Sequence, residues 1–243
     1  MIYSRILDKK SKRKKQIAVL IDPDKAEGKQ IVDLARLANT FRPDCFFIGG
    51  SLLMKNRLDA VLRLLRNNTD LPLILFPGTT MQISPQADAL LFLSLISGRN
   101  PDYLIDRHVH AAPLIRNSKQ EVIPTGYMLI DTGKTASVHY LSGTFPLPGD
   151  KPDIAVCTAM AGEMLGLKMI YLEAGSGAKQ TVSVEMVQAV RNKIEIPLLA
   201  GGGIRSPEQA AALSEAGADM LVVGTALEEK PGLLQDLCAA IKS

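Results

Sequence analysis

The stretch IPLLAGGGIRSPEQAAALSEAGADMLVVGT, residues 196–225, reads as one strand–helix–strand unit. Pro197–Leu199 and Met220–Val223 are short, continuous apolar runs of the kind buried on both faces of a parallel sheet. Between them, Pro207–Ala216 carries apolar residues at helical spacing. Ser206 is placed as its N-cap, Pro207 at the first helical position, Glu208 in the first turn and Gly217 just beyond the end. Each strand also runs into glycine, as Gly201-Gly202-Gly203-Ile204-Arg205 and as Gly224-Thr225. Glycines there let backbone N–H groups close on an anion, and a following helix N-terminus adds a favourable dipole.

Outward from this unit the alternation repeats. Strands are expected at Gln16–Ile21, Cys45–Ile48, Leu73–Phe76, Ala89–Leu95, Tyr127–Ile130 and Met169–Leu172, which with the first two make eight. Further helices are expected at Ile31–Ala38, Leu52–Arg66, Val184–Lys193 and Leu233–Ile241. The implied class is α/β, a (β/α)8 TIM-type barrel occupying residues 1–243 as one domain, a usual size for this architecture. The unit after the third strand is weak. Thr80–Ala87 contains Pro85 and is short for a helix, so the barrel is expected to be modified around its third helix. Gly133–Pro148 exceeds a normal βα loop, and its Ala136–Leu141 portion is expected as an extra hairpin serving as a lid.

Composition narrows the function. With 28 basic and 25 acidic residues the net charge is only +3, too even for a nucleic-acid binder. One cluster, Lys9, Lys10, Lys12, Arg13, Lys14 and Lys15, reads either as a solvated face or as steering towards an anionic lipid surface or a diphosphate. Cys45, Cys157 and Cys238 are far apart and lack CxxC spacing, as expected of reduced thiols. No apolar stretch reaches membrane-spanning length, and a cytoplasmic location is expected. The 47% hydrophobic content and mean hydropathy of +0.11 leave room for an apolar groove.

In such barrels the chemistry sits on the loops after the strands, with phosphate bound after strands seven and eight. Strand six ends in Tyr171-Leu172-Glu173-Ala174-Gly175-Ser176-Gly177, beside those phosphate loops. Glu173 is suited to hold or deprotonate a substrate hydroxyl, and Ser176 with the amides after it to wrap a phosphate. Strand one ends in Asp22-Pro23-Asp24-Lys25 and strand two in Gly49-Gly50-Ser51. Mg²⁺ takes one or two carboxylates plus substrate phosphates, so Asp22 with the Ser51 hydroxyl makes a partial shell, and Lys25 can serve the same diphosphate. Asp22 reads equally as a general base, and Asp24 as a turn residue. The three histidines, His108, His110 and His139, read as surface residues, the first two on different faces of one helix.

These motifs together resemble the geranylgeranylglyceryl phosphate synthase family, from strand one to strand eight. Ser97-Gly98-Arg99-Asn100-Pro101 and Ile123-Pro124-Thr125-Gly126-Tyr127 are similar to the middle region of its second group. The resemblance implies an ether-forming prenyltransferase that joins sn-glycerol 1-phosphate to a long prenyl diphosphate. It implies Mg²⁺ on Asp22 and Ser51, and glycerol 1-phosphate on Tyr171 through Gly177, Gly202, Gly203, Gly224 and Thr225. It also implies a homo-oligomer, and product release through transient membrane-surface contact is expected. The sequence departs at Val19-Leu20-Ile21, where some members carry a lysine before the first aspartate; Arg205 or Lys25 is the expected substitute. Leu93, Ile96, Tyr103 and Tyr127 are candidates to line the tail groove. Asp22 and Asp131 form an opposed acid pair like that of the sugar-isomerising barrels of histidine biosynthesis, which makes an isomerase or lyase of a phosphorylated metabolite the competing reading. A catalytically silent phosphometabolite sensor is a further one.

Overall fold

The computed structural model describes residues 1–55, 57–133 and 137–242. The chain runs α1 (Ile2–Ser11), β1 (Gln16–Ile21), α2 (Gly28–Phe41), β2 (Cys45–Ile48), α3 (Leu58–Arg66), β3 (Leu73–Leu75) and β4 (Ala89–Leu95). A π-helical turn (Asp102–Asp106) then leads into α4 (Arg107–Ser118), followed by β5 (Glu121–Leu129), α5 (Ser137–Ser142), α6 (Pro152–Met164) and β6 (Met169–Glu173). The last units are α7 (Val184–Arg191), β7 (Leu198–Gly201), α8 (Pro207–Glu215), β8 (Met220–Val223), α9 (Thr225–Glu229) and α10 (Leu233–Lys242). All eight strands are parallel and close in sequence order, with β1 returning to β8 through Gln16↔Met220 to Val19↔Val223.

Strand alternation sorts the core into two layers. Ile17, Val19 and Ile21 of β1 face the helices, while Ala18 and Leu20 face the lumen. Carried one step further, the inward series places Asp22 after Leu20, Glu173 after Tyr171 and Gly224 after Val222, all at the same end. The lumen beneath is filled by aromatic rings: Phe76 lies 5.6 Å from Tyr171 and 6.0 Å from Phe47, and Tyr127 lies 5.4 Å from Tyr171, centroid to centroid. The opposite end is closed by α1. The Tyr3 amide donates to Glu121 at 3.0 Å, the Tyr3 hydroxyl to the Lys168 carbonyl at 3.0 Å, and Lys9 pairs with Asp44. These partners precede or begin strands, so the basic cluster lies at the far end from the mouth. There it docks α1 and surfaces the barrel base, which removes it from any steering of a diphosphate.

No helix connects β3 to β4. That segment is held instead by Gln82, fully buried, whose side-chain amide donates to the Gly50 carbonyl at 2.7 Å and accepts from the Gly50 amide at 3.1 Å. A single side chain thus satisfies both backbone groups of a residue that has no ladder partner.

Several sequence expectations shift. β5 begins at Glu121, six residues before the expected start, because Pro124 and Gly126 obscure a strand whose neighbours on both sides tolerate them. The expected helix Leu52–Arg66 starts at Leu58 among the described residues, residues 52–55 lying in the β2–α3 loop and Asn56 outside the described residues. Ser137–Ser142 is a short helix and not a hairpin strand, since no free sheet edge exists in a closed barrel for it to join; Ala136 lies outside the described residues. His110 is exposed as expected, but His108 and His139 are buried. His108 packs edge-on against Phe92 at 4.4 Å, and burial holds its pKa below the ordinary value. Among the described residues no helix is long and apolar enough to cross a membrane.

Replacing Gln82 with Ala leaves the Gly50 N–H and C=O without this partner in a part-buried setting. We expect a loss of roughly 2 kcal/mol of unfolding free energy, read from the midpoint shift in urea at unchanged m-value.

Candidate active site

The strand ends surround a cavity of about 530 Å³ at the barrel mouth. One wall carries Asp22 and Lys25 after β1 and Ser51 after β2. Facing it are Tyr171, Glu173, Ser176 and Gly177 from β6 and its loop. Gly202, Gly203 and Arg205 follow β7, and Gly224 and Thr225 follow β8. The carboxylate wall and the glycine wall therefore border one space. Leu172 and Ala174 do not reach it, because strand alternation turns both into the outer core, where they are 0% and 1% exposed. Gly175 contributes from behind, donating its N–H to Glu173 Oε1 at 2.6 Å. Asp131 is exposed, accepts the Gly133 amide at 2.8 Å and lies outside the cavity lining, so the opposed acid pair with Asp22 is not assembled.

Glu173 is the electrostatic centre. It is 5% exposed, and burial raises its pKa above the ordinary 4.5 against the opposing pull of the Tyr171 hydroxyl, the Gly175 amide and the Tyr127 hydroxyl. Burial, reinforced by the Glu173 charge, pushes both phenols well above their usual 10, so they stay protonated, and the Tyr171 hydroxyl is buried with no hydrogen-bond partner among the described residues. A carboxyl held in this way binds a proton more readily than an ordinary glutamate.

The glycines shape this wall by necessity of backbone. Gly202 and Gly203 sit at φ +78° and +74°. A Cβ on Gly202 would lie 2.6 Å from Glu173 Oε1 and 2.7 Å from the Gly175 carbonyl; on Gly203 it would lie 2.3 Å from the Gln180 carbonyl. Neither position has room for a side chain, and the left-handed backbone adds its own penalty.

On the opposite wall, Asp22 Oδ1 accepts the Asp24 amide at 3.0 Å and Oδ2 meets the Lys25 ammonium at 3.2 Å. Asp24 itself holds the β2–α3 loop through the Lys55 amide at 3.1 Å and the Met54 amide, which confirms its turn role. One lining residue escaped sequence reasoning. Glu228, in the first turn of α9, accepts the Asp22 amide; burial raises its pKa, Lys25 lowers it and Asp22 raises it again. It belongs to no motif, and only the closure of β8 onto β1 brings it there. Arg205 lines the cavity but is already paired with Glu229 at 2.7 Å, whereas Lys25 stands on the carboxylate wall.

Beside this cavity runs an apolar groove between the β3–β4 segment, β4, α4 and α5. It is lined by Leu93, Tyr103 and Tyr127 as expected, and by Phe92, His108 and Ile115, whereas Ile96 packs in the outer core near Gly126. The groove occupies the flank where a third barrel helix would lie. Its roof, α5, is fastened by Asn100 to the Ser142 carbonyl at 2.7 Å and by the Tyr103 hydroxyl to the Leu141 carbonyl at 2.9 Å. Gly50, Ser51, Phe76, Tyr127, Val138 and Leu141 border both spaces, so the polar cavity and the apolar groove adjoin along one side.

Residues 9–242 match the model of the PcrB family. The chain is 47% identical over 240 residues to the geranylgeranylglyceryl phosphate synthase of Chitinophaga pinensis, covering 99% of this chain and 95% of that protein. It is 48% identical over 235 residues to the enzyme of the same name from Spirosoma linguale, covering 97% and 94%. Among solved structures, it resembles (S)-3-O-geranylgeranylglyceryl phosphate synthase from Thermoplasma acidophilum in complex with sn-glycerol-1-phosphate. The TM-score is 0.94 at 33% identity, over 100% of this chain and 98% of that one.

Gly202→Ala is expected to displace either Glu173 or the Gly175 loop. Titration calorimetry with a small phosphomonoester should show affinity reduced by about tenfold or more, equivalent to at least ~1.4 kcal/mol, with the fold retained by circular dichroism.

Proposed function

The chain belongs to the PcrB family with the geranylgeranylglyceryl phosphate synthases, and from that premise we infer that its mouth joins sn-glycerol 1-phosphate to a long prenyl diphosphate, releasing diphosphate. The observation that carries this reading is the shared wall. A glycine-lined cavity with a buried carboxylate lies directly against an apolar groove, the pairing that a small phosphorylated alcohol reacting with a lipid-like diphosphate requires.

The glycerol phosphate would be anchored by the backbone of Gly202, Gly203 and Gly224, with Ser176, Gly177 and Thr225 closing around the phosphate. This directs its free primary hydroxyl towards Glu173. The hydroxyl oxygen attacks C1 of the prenyl chain, the C1–O bond to diphosphate breaks, and the hydroxyl proton passes to the Glu173 carboxylate. Tyr171 and Tyr127 keep that carboxylate oriented, and holding both reactants in one cavity supplies much of the rate.

The diphosphate falls to the opposite wall. Mg²⁺ takes few protein oxygens and completes its shell from phosphates, and the donor set here, the Asp22 carboxylate and the Ser51 hydroxyl, suits that habit. When bound, the ion would neutralise the charge gathering on the departing diphosphate. Asp22 already faces a cation, the Lys25 ammonium, which can swing to the diphosphate when it arrives. The tail would lie along Phe92, Leu93 and Tyr103, where each buried CH₂ contributes roughly 0.8 kcal/mol before ordering costs.

Two outcomes test the assignment. Glu173→Gln should lower kcat by about 10²–10⁴-fold with magnesium affinity retained. Because the working form is ionised and the folded pKa lies above 4.5, wild-type kcat/KM should fall as pH drops through a value higher than that of an ordinary glutamate. Stability runs the other way. A carboxyl with a raised folded pKa favours the fold most below the unfolded value and loses that contribution as pH rises through the folded one. Glu173→Gln should therefore be no less stable than wild type at pH 8 by thermal melting; an unaltered rate in this variant would remove Glu173 from the chemistry. In the second test, EDTA should abolish ether formation followed by mass spectrometry and Mg²⁺ restore it, with Asp22→Asn requiring at least ~10-fold more Mg²⁺ for half-maximal rate.

A further inference from the structure

Four large apolar side chains stand more than four-fifths exposed on the loops of the mouth: Met54 at 81%, Met81 at 89%, Tyr140 at 86% and Phe145 at 93%. Tyr140 borders the mouth cavity beside Val138 and Leu141, the other three line neither the cavity nor the groove, and none is explained by the chemistry above. Leu52 adds a fifth at 52%. Leaving such groups in water is costly, and a cluster at one end of a molecule marks a contact surface.

Their position is specific. Met81 follows Thr79 and Thr80, Leu52 follows Ser51, and Tyr140 sits between Val138 and Leu141, all of which line the apolar groove. The loops themselves are in contact, since a Cβ on Gly78 would lie 2.4 Å from the Gly50 carbonyl and 2.9 Å from Ser51. The exposed side chains thus continue the groove outward as an apolar lip. The charge on these loops is one-sided. Segments 51–57, 76–86 and 137–148 contain no Asp or Glu, while Lys55 and Arg57 fall in the first of them. Methionine and aromatic tips flanked by cations, with the Asp24 carboxylate occupied by the Met54 and Lys55 amides, suit the headgroup region of an anionic bilayer, where aromatic rings partition to the interface and each cation adds attraction.

We propose that this rim docks on the surface of an anionic phospholipid bilayer, so that a prenyl tail passes between bilayer and groove without crossing water. The proposal rests on the prenyltransferase reading for its purpose, because only an amphiphilic substrate or product needs such a passage. The barrel base, with its basic cluster around α1, faces away from the membrane in this arrangement.

The test uses the full-length protein and a Met81→Ser/Phe145→Ser double variant, neither site belonging to the catalytic or binding machinery. Flotation with phosphatidylglycerol vesicles and with phosphatidylcholine vesicles measures docking. The rate with geranylgeranyl diphosphate dispersed in detergent micelles measures chemistry, and light scattering measures assembly size. Wild type is expected to float with the anionic vesicles about tenfold more than with the neutral ones, and the variant to lose about tenfold of that binding while keeping its detergent rate and size. Absence of wild-type flotation, or flotation unchanged in the variant, overturns the proposal. So does a smaller assembly in the variant, which would make the rim an interface between copies, or a lost detergent rate, which would make these side chains part of the reaction. If wild type floats but forms no ether in detergent, the prenyltransferase reading itself fails, and with it the passage proposed here; if it forms ether but does not float, only the docking fails.

Discussion

Closure of the eight-stranded ring is the constraint on which the remaining structure depends. The pairing of Gln16–Val19 with Met220–Val223 leaves no sheet edge, fixes every strand's register against two neighbours and brings residues 200 positions apart to one rim. With register fixed, side-chain direction follows from parity alone. Asp22, Glu173 and Gly224 face the mouth because Leu20, Tyr171 and Val222 face the lumen, and a one-residue slip in any strand would turn that strand's functional group into the helix layer. The aromatic packing of Phe47, Phe76, Tyr127 and Tyr171 is therefore more than filler. It occupies the lumen so fully that the cavity has a dry floor, and that floor sets the environment of Glu173.

A dry floor under a carboxylate works against stability and in favour of chemistry. Desolvation disfavours the ionised form, and the protein offsets only part of that cost with two phenols and one amide. Full compensation, with a nearby cation for instance, would hold the pKa low and leave a poor proton acceptor. Incomplete compensation leaves a carboxyl whose affinity for a proton is closer to that needed at neutral pH. The cations of the mouth are kept elsewhere: Lys25 on Asp22, Arg205 on Glu229. Lys25 stands on the wall of Asp22, and Arg205, although it follows β7, is paired with Glu229, so neither cation forms its ion pair with Glu173 and the two halves of the cavity differ in charge.

How much of this could be read from the chain depends on whether the determinant was local. The strand runs, the Ser206-Pro207 helix start and the Gly201–Gly203 turn are set by residues within a few positions of each other, and the structure follows them closely. Helix α1 carried no such signal, being polar over most of its length and fixed by Glu121, Asp44 and Lys168 far along the chain. His139 was legible only as a polar residue in a loop, since the α5 fold that buries it is fastened by Asn100 and Tyr103. Glu228 lies in an unremarkable helical turn until closure sets it against Asp22. The strand-six motif falls on a segment that lines the cavity, but a sequence motif does not distinguish the inward Tyr171 and Glu173 from Leu172 and Ala174, whose side chains turn outward; strand parity does.

The missing third helix connects the fold to the nature of the substrate. A complete (β/α)8 barrel covers each strand pair with a helix, which leaves no apolar surface open along its flank. An amphiphile with a long tail needs such a surface, contiguous with the mouth, because a tail lying in water would cost the binding energy that its burial supplies. Removing one helix exposes β4 and α4 and leaves the connection between β3 and β4 to be held in another way. Gln82 of that connection holds it, pairing one buried side-chain amide with both backbone groups of Gly50 after β2, at far smaller volume than a helix. The groove is thus a consequence of economy in one connection: the chain gives up a helix, satisfies the orphaned Gly50 groups with one side chain, and the space left over, walled by Leu93, Phe92 and Ile115, meets the catalytic cavity at Phe76 and Tyr127. A bulkier connection there would leave the anion cradle intact and give the tail no flank to lie along, which is the difference between a barrel that handles small phosphorylated metabolites and one that can hold a lipid.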